Sequence, residues 1–358
     1  MGLPTSQFNH GMRRNSNMYL KFVIALLLVL PTTSYEIVCV YDACTISNID
    51  INRDGLYAFS FLTNETQTLI LKRATGKRFD FSFLQIIPTL ELIVLEHCKF
   101  EELVMLRFNI PASLVLRYVS LKHIRFHASD STLKDIRLFG VPFNVIPRTV
   151  LKLRQLVDLE QCRSRMSHLQ LSVLRNLERL ANLNLSYNKI RTVTVDTSGD
   201  CCAQLRSLNL VGNMLVRFNF GVLIYLQRLE RVFLGHNHIA TINTQENHSY
   251  LPKVEFCSWK NYYLALVGDN ATIPKPPQCN DYFANLKLIT LNHNRLTRID
   301  LSKFERMNVL ADLDLAFNDI KTIEIAKGRL PISLNMSELK GSAGYLHDLS
   351  PDVFSETQ

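Results

Sequence analysis

The chain has 358 residues, 47% of them hydrophobic, and a formal net charge of +8. That is enough apolar material for a large core, and no Gly/Ser/Pro-rich linker divides it, which excludes a string of small domains in favour of one body. The charge falls to +5 without Arg13, Arg14 and Lys21 and is dispersed along the sequence, too modest a bias to imply nucleic acid as a partner.

Residues 1–34 read as an N-terminal extension and signal peptide. Lys21 precedes an apolar run over 22–30, and Thr32 and Ser34 are small residues suited to cleavage before Tyr35. The run is short for a bilayer span, so removal is expected rather than anchoring. Met1-Gly2 with Ser6 fits a myristoylation pattern, which the adjoining export signal argues against and which translation from Met18 would remove. No later apolar stretch is long and unbroken enough to span a membrane, and the final residues carry neither a hydrophobic tail nor a lipidation box. The expectation is a secreted, extracellular protein.

Secretion sets how the cysteines are read. All eight follow the predicted cleavage site, an even number that permits pairing without fixing connectivity. Residues 35–65 form the predicted N-terminal cap, in which Cys39 and Cys44 are placed to close a small disulfide loop over the end of the core.

From 66 to 340 the sequence repeats. Five stretches follow LxxLxLxxNx(L/I): LANLNLSYNKI from Leu180, LRSLNLVGNML from Leu205, LERVFLGHNHI from Leu229, LKLITLNHNRL from Leu286 and LADLDLAFNDI from Leu310. Their starts lie 25, 24, 57 and 24 residues apart, a period of about 24 with one long excursion. Alternation along a strand sends the fourth- and sixth-position residues, such as Leu183 and Leu185, inward and turns Asn184 between them to solvent. The ninth-position Asn188, Asn213, Asn237, Asn294 and Asn318 sit where the chain bends away, and their amides can satisfy backbone groups that the buried bend would orphan. One turn cannot bury its own leucines, so stability requires stacking. The fold class that follows is an α/β solenoid, a leucine-rich-repeat horseshoe with a parallel concave β-sheet and short helical or irregular convex segments.

Weaker copies extend the block. Leu90 begins LELIVLEHCKF with Cys98 in the Asn position, where a small buried thiol can replace the amide, and Leu133 begins a turn with Val141 there. Less regular turns are fitted at Thr66 with Leu69 and Leu71, at Ser113 with Leu116 and Tyr118, and at Arg154 with Val157, Leu159 and Cys162. Further turns are placed at Leu251 with Val254 and Phe256, and at Pro331 with Leu334 and Met336. Cys257 and Cys279 bracket an insertion near 257–285, and a bridge between them would close a loop of roughly twenty residues, worth about 3 kcal/mol in the chain-entropy account. Cys202 aligns with the inward-pointing Leu226 and Met307, which leaves Cys201 near the surface for a structural bond or a covalent link to a second chain. Residues 341–358 form a C-terminal tail without cysteine or heptads. N-x-(S/T) sequons make Asn64, Asn184, Asn247, Asn270 and Asn335 glycosylation candidates, with Asn184 on the concave strand surface.

The chain carries no zinc-protease HExxH, GxSxG elbow, phosphate loop or CxxC pair, and its ten histidines are scattered. His97, His236 and His293 share the eighth repeat position, but no carboxylate or thiol cluster accompanies them. No catalytic residue, metal or cofactor is predicted, which leaves binding. The outward strand positions, read as Ile70, Val94, Arg117, Arg137, Asp158, Asn184, Asn209, Phe233, Glu255, Thr290 and Asp314, pass from apolar through basic and polar to acidic, a mixture suited to a protein partner. Tyr187, Arg231, Phe233 and His236 are the predicted partner-binding residues, since aromatics and Arg dominate interface centres.

The signal peptide, the Cys39-x4-Cys44 pair running into CTISNIDI, and irregular early turns followed by regular SYNKI, LGHNHI and LNHNRL turns resemble the extracellular leucine-rich-repeat family, and within it the secreted mosquito leucine-rich-repeat immune proteins. The resemblance implies a haemolymph protein able to join another leucine-rich-repeat chain through a disulfide and to engage complement-like thioester proteins. It departs at 341–358, where such relatives carry a cysteine-bearing cap and a coiled coil, so a short or divergent member is implied. The expected function is a secreted, non-catalytic protein-recognition module of insect innate immunity; the alternatives are an extracellular-matrix or adhesion protein and a receptor ectodomain lacking its anchor.

Overall fold

The computed structural model describes residues 35–337 except 56, 106–111, 127–131, 196–200, 224–225, 244–282, 284, 305–306, 308 and 325–332. A 13-stranded sheet runs through the described chain. Its first strand, Glu36–Val40, pairs antiparallel with Ala43–Ser47, and every later strand joins parallel to its predecessor. Cys39 and Cys44 face each other in that hairpin and are joined by a disulfide, so the open edge of the parallel sheet is covered by a tied strand. The second hairpin strand is already a solenoid turn, with Cys44 paired to Leu69 and Ile46 to Leu71.

Behind the sheet lie smaller parallel sheets of two or three strands, among their strands Thr75–Asp80, Lys99–Met105 and His123–Phe126, with 3-10 turns such as Phe81–Ile86 and Leu171–Leu174 following on. The one α-helix among the described residues is Ile51–Asp54, capped by the Asp50 side chain accepting from the Asn52 amide. Between front and back, the inward residues make one core: Leu185, Leu205, Leu208, Leu210 and Leu234 have no exposed surface. Phenylalanines fill the wider layers, with the Phe79 ring centroid 4.8 Å from that of Phe81 and 5.4 Å from that of Phe100.

The ninth position forms a hydrogen-bonded ladder over the later turns. Asn213 Nδ2 donates to the Leu185 carbonyl at 3.0 Å and to that of Leu210 at 2.9 Å, while its Oδ1 accepts from the Ile190 amide at 3.0 Å. Asn237, Asn294 and Asn318 repeat the arrangement one turn at a time, so each strand-end carbonyl receives an amide from its own turn and one from the next. Cys98 supplies the same cross-turn bond in the early half, its Sγ donating to the Leu71 carbonyl at 3.3 Å.

The register expected at Arg154 and at Ser113 and the exposure expected of Cys201 need correction. Leu159 pairs with Leu183, so the turn placed at Arg154 begins two residues later, at Leu156; Gln161 fills the sixth position and Ser164, not Cys162, the ninth. The fully buried Gln161 is satisfied on one side only: its Nε2 reaches the Phe143 and Val145 carbonyls at 3.4 and 3.3 Å, while its Oε1 has no partner among the described residues. The turn placed at Ser113 likewise slips, because Leu114 and Leu116 pair with Ile93 and Leu95, leaving Val119 in the ladder. Cys201, expected near the surface, is buried together with Cys202, whose left-handed backbone (φ 58°) breaks the alternation that would set neighbours on opposite sides. Arg231–Phe233 pairs directly with Leu288–Thr290, and the turn expected at Leu251 lies between them in sequence. Its residues, like Cys257 and Cys279, lie outside the described ones.

Burial pushes the Cys98 thiol up to about 11 and that of Cys162 up to about 12. Thiolate is the reactive form, so iodoacetamide at neutral pH should leave both unlabelled until the chain is unfolded. Labelling of either in the native protein would contradict the burial. The same digest, run without reductant, should recover Cys39 linked to Cys44 and Cys257 to Cys279; a Cys257 peptide linked to Cys201 or Cys202 would overturn the second pair.

Candidate functional site

Pairing across the sheet fixes which side chains share the outward fifth position: Ile70, Val94, Val115, Arg137, Glu160, Asn184, Asn209, Phe233, Thr290, Asp314 and Asn335. Val115 therefore replaces Arg117 in the expected column and Glu160 replaces Asp158, while Glu255 lies outside the described residues. Arg117 stands two positions on, where its Nη1 donates to Glu96 Oε1 at 2.8 Å. Asp158 stands two positions back, accepting from Asn182 Nδ2 at 2.6 Å.

Most of the later fifth-position residues have a structural duty. The side-chain oxygens of Asn184, Asn209 and Asp314 accept from the backbone amides of Ser186, Val211 and Ala316 at 3.0–3.1 Å, closing each strand with an Asx-type turn. Their polarity follows from the fold and says little about a partner. Phe233 has no oxygen to make that bond, and it leaves a half-exposed ring on a polar strip. Arg231 lies exposed on the same strand, and His236 is exposed at the strand's end.

The eighth position runs along one rim. It is left-handed in turn after turn, at φ 54° in His97, 53° in Tyr118, 48° in Arg163, 55° in Tyr187, 54° in His236, 53° in His293 and 57° in Phe317, with Gly140 and Gly212 at the same step. Each non-glycine residue there carries a backbone cost of about 1–3 kcal/mol, which the sharp exit from the strand imposes. The side chains stack on one another. His97 lies parallel to Tyr118 with centroids 5.3 Å apart, while His236 on His293 and His293 on Phe317 are each 4.1 Å apart. Arg163 sits between two rings, its Cζ 5.4 Å from the Phe139 centroid and 5.2 Å from that of Tyr187. Tyr187 in turn lies over Gly212, where an added Cβ would come within 2.6 Å of its ring.

The structure thus brings Arg231, Phe233 and His236 onto one turn and places Tyr187 two turns away, in a rim cluster with Arg163. Cys39 and Cys44 close the cap. Asn64 is exposed, Asn184 and Asn335 lie on strands of the sheet, and Asn247 and Asn270 fall outside the described residues. Among the described residues there is no group of three or more His, Cys, Asp or Glu side chains arranged to hold a metal ion. No described helix is long and apolar enough to cross a membrane. Arg163 and Phe139 escaped the sequence reading because the slipped register at Arg154 hid Arg163's place in the rim column.

Part burial, and then the neighbouring His293, hold His236 below the ordinary histidine value. A base depressed in this way contributes stability that is complete above about pH 6.5 and is lost as pH falls through the folded-state value. His293→Gln removes the like charge, so NMR titration should show His236 moving back upward. An unchanged titration would leave burial as the sole cause.

A leucine rich repeat family model matches residues 154–215. The human leucine-rich repeats and immunoglobulin-like domains protein 3 is 26% identical over 166 residues, 46% of this chain and 14% of that protein, so the chain spans a small part of its curated relative. Among solved structures, the LRIM1/APL1C complex is matched at 17% identity over 86% of this chain and 51% of that one, with a TM-score of 0.47. The leucine-rich repeat domain of APL1B is matched at 16% identity over 75% of this chain and 66% of that one, with a TM-score of 0.45.

Proposed function

We propose that this chain is a secreted, non-catalytic recognition solenoid that binds an extracellular protein through the concave patch of Arg231 and Phe233, with His236 at its rim. One observation carries the reading. Where Asn184, Asn209 and Asp314 close their own strands, Phe233 does no such work and offers an aromatic surface beside an exposed Arg, the pairing that interface centres favour. Two thiols that could have served as nucleophiles, Cys98 and Cys162, are buried and held protonated at neutral pH, which supports a binding role over a catalytic one. Export rests on the sequence over 18–34. A place in insect immunity, with another leucine-rich-repeat chain or a complement-like protein as partner, rests on the resemblance of the cap and of the turn sequences. The test is affinity capture from body fluid by the purified protein beside its Arg231→Ala/Phe233→Ala variant. A protein held by the wild type and lost from the variant supports the reading; one retained equally by both moves the contact elsewhere.

A further inference from the structure

The sequence spreads its basic residues widely, yet stacking gathers four of them. Strand pairing holds a constant offset between two neighbouring turns, from Leu159 with Leu183 at the front to His168 with Thr192 at the back. Arg165 therefore stands beside Lys189, and Arg163 and Arg191 flank them on the same rim. All four are exposed, and none makes an ion pair with a described residue. Arg163 is the ordered member. Its Cζ lies 5.4 Å from the Phe139 centroid and 5.2 Å from that of Tyr187, so aromatic neighbours from the adjoining turns hold an exposed guanidinium, the group whose N–H fork a carboxylate accepts in bidentate fashion. Gly212 leaves room for the Tyr187 ring, since a Cβ there would come within 2.6 Å of it.

We infer that this rim cluster is a second contact site that takes a carboxylate-bearing protein segment with apolar neighbours. It falls within the protein-recognition reading but uses a surface separate from the concave patch. The limits of the cluster select the ligand class. At the equivalent rim positions the preceding turn has Gly140, Pro142 and Asn144 and the following turn has Gly212, Met214 and Val216, all uncharged. A nucleic acid or a sulfated glycan needs cations recurring along its length, whereas this patch is two turns wide, about 5 Å between adjacent strands. Its margins are apolar: Tyr187 is 51% exposed and Val216 53%. A short acidic segment with hydrophobic residues beside its carboxylates matches that surface.

The test uses the full-length protein and a labelled synthetic peptide of alternating glutamate and leucine, followed by fluorescence anisotropy, with a heparin fragment and an oligothymidylate as separate arms. Saturable peptide binding is expected, weakened about tenfold or more by Arg163→Ala and by Arg165→Glu/Lys189→Glu. Arg163→Lys should fail to restore it, because an ammonium lacks the fork. Tyr187→Leu should weaken binding with the charge unchanged. Lys321→Glu, on a distant turn, should change affinity less than about twofold. All the substituted side chains are exposed, and an unchanged unfolding midpoint confirms that each variant folds. Absence of saturable binding, an equal loss in Lys321→Glu, rescue by Arg163→Lys, or tighter binding of heparin or the oligonucleotide than of the peptide would each overturn the site. Because the peptide reports on the rim alone, such a result leaves the concave patch to be judged by the capture experiment.

Discussion

Leu208→Ala should lower the unfolding free energy by about 2–5 kcal/mol, the range for a buried leucine replaced by alanine. Leu208 has no exposed surface, and its strand is hydrogen-bonded to both neighbours, in register with Leu183 on one side and Val232 on the other. Those backbone bonds keep the turns from closing over the cavity, which favours the upper half of the range. Because a solenoid is held by contacts between adjacent turns, the loss also loosens the coupling between its two halves. Leu183→Ala and Leu313→Ala should behave alike. Asn184→Ala removes one side-chain hydrogen bond at a half-exposed position and should cost about 1 kcal/mol or less. Denaturant unfolding distinguishes them, and equal losses would mean that the inward and outward positions are wrongly assigned.

Asn213→Ala should be the most damaging polar substitution tested. The side chain is 3% exposed and makes four bonds to backbone groups, accepting from the Ile190 amide and donating to the Leu185, Leu210 and, at 3.4 Å, Val211 carbonyls. The Leu185 and Leu210 carbonyls keep a second amide, from Asn188 and Asn237, but the Ile190 N–H loses the acceptor that holds it. An orphaned buried donor costs about 1–3 kcal/mol, and the lost donations add to that. Asn213→Cys should fall between alanine and the wild type, because a thiol can donate to Leu185 as Cys98 donates to Leu71 but cannot replace the acceptor as well. A loss below about 0.5 kcal/mol for Asn213→Ala would show that water enters the bend and takes over the role.

The regular turns were legible because each residue type there answers one constraint: leucine for the core, asparagine for the bend, and alternation to separate inside from outside. The early turns blur these signals. Over 113–119, Val115 is only 7% exposed though it points outward, so apolar residues lie on both faces and two registers fit the sequence equally well. Gln161 misled for the opposite reason, as a polar residue in a core position whose partners, the carbonyls of Phe143 and Val145, come from the preceding turn. No local pattern announces such a bond. Of the candidate site, Arg231, Phe233 and His236 could be placed from the repeat frame alone. That Asn184 and Asn209 owe their identity to strand closure, and that Arg163 is clasped between Phe139 and Tyr187, required the pairing between turns.

The most direct measurement is the affinity of the Arg231→Ala/Phe233→Ala variant for the captured partner, made after intact-mass analysis has established whether Asn184 carries a glycan that would shade the patch. The account predicts a loss of at least about 2 kcal/mol, roughly thirtyfold in Kd, with the unfolding midpoint nearly unchanged because neither side chain belongs to the core. Full affinity in the folded double variant would contradict it and place recognition away from the concave face.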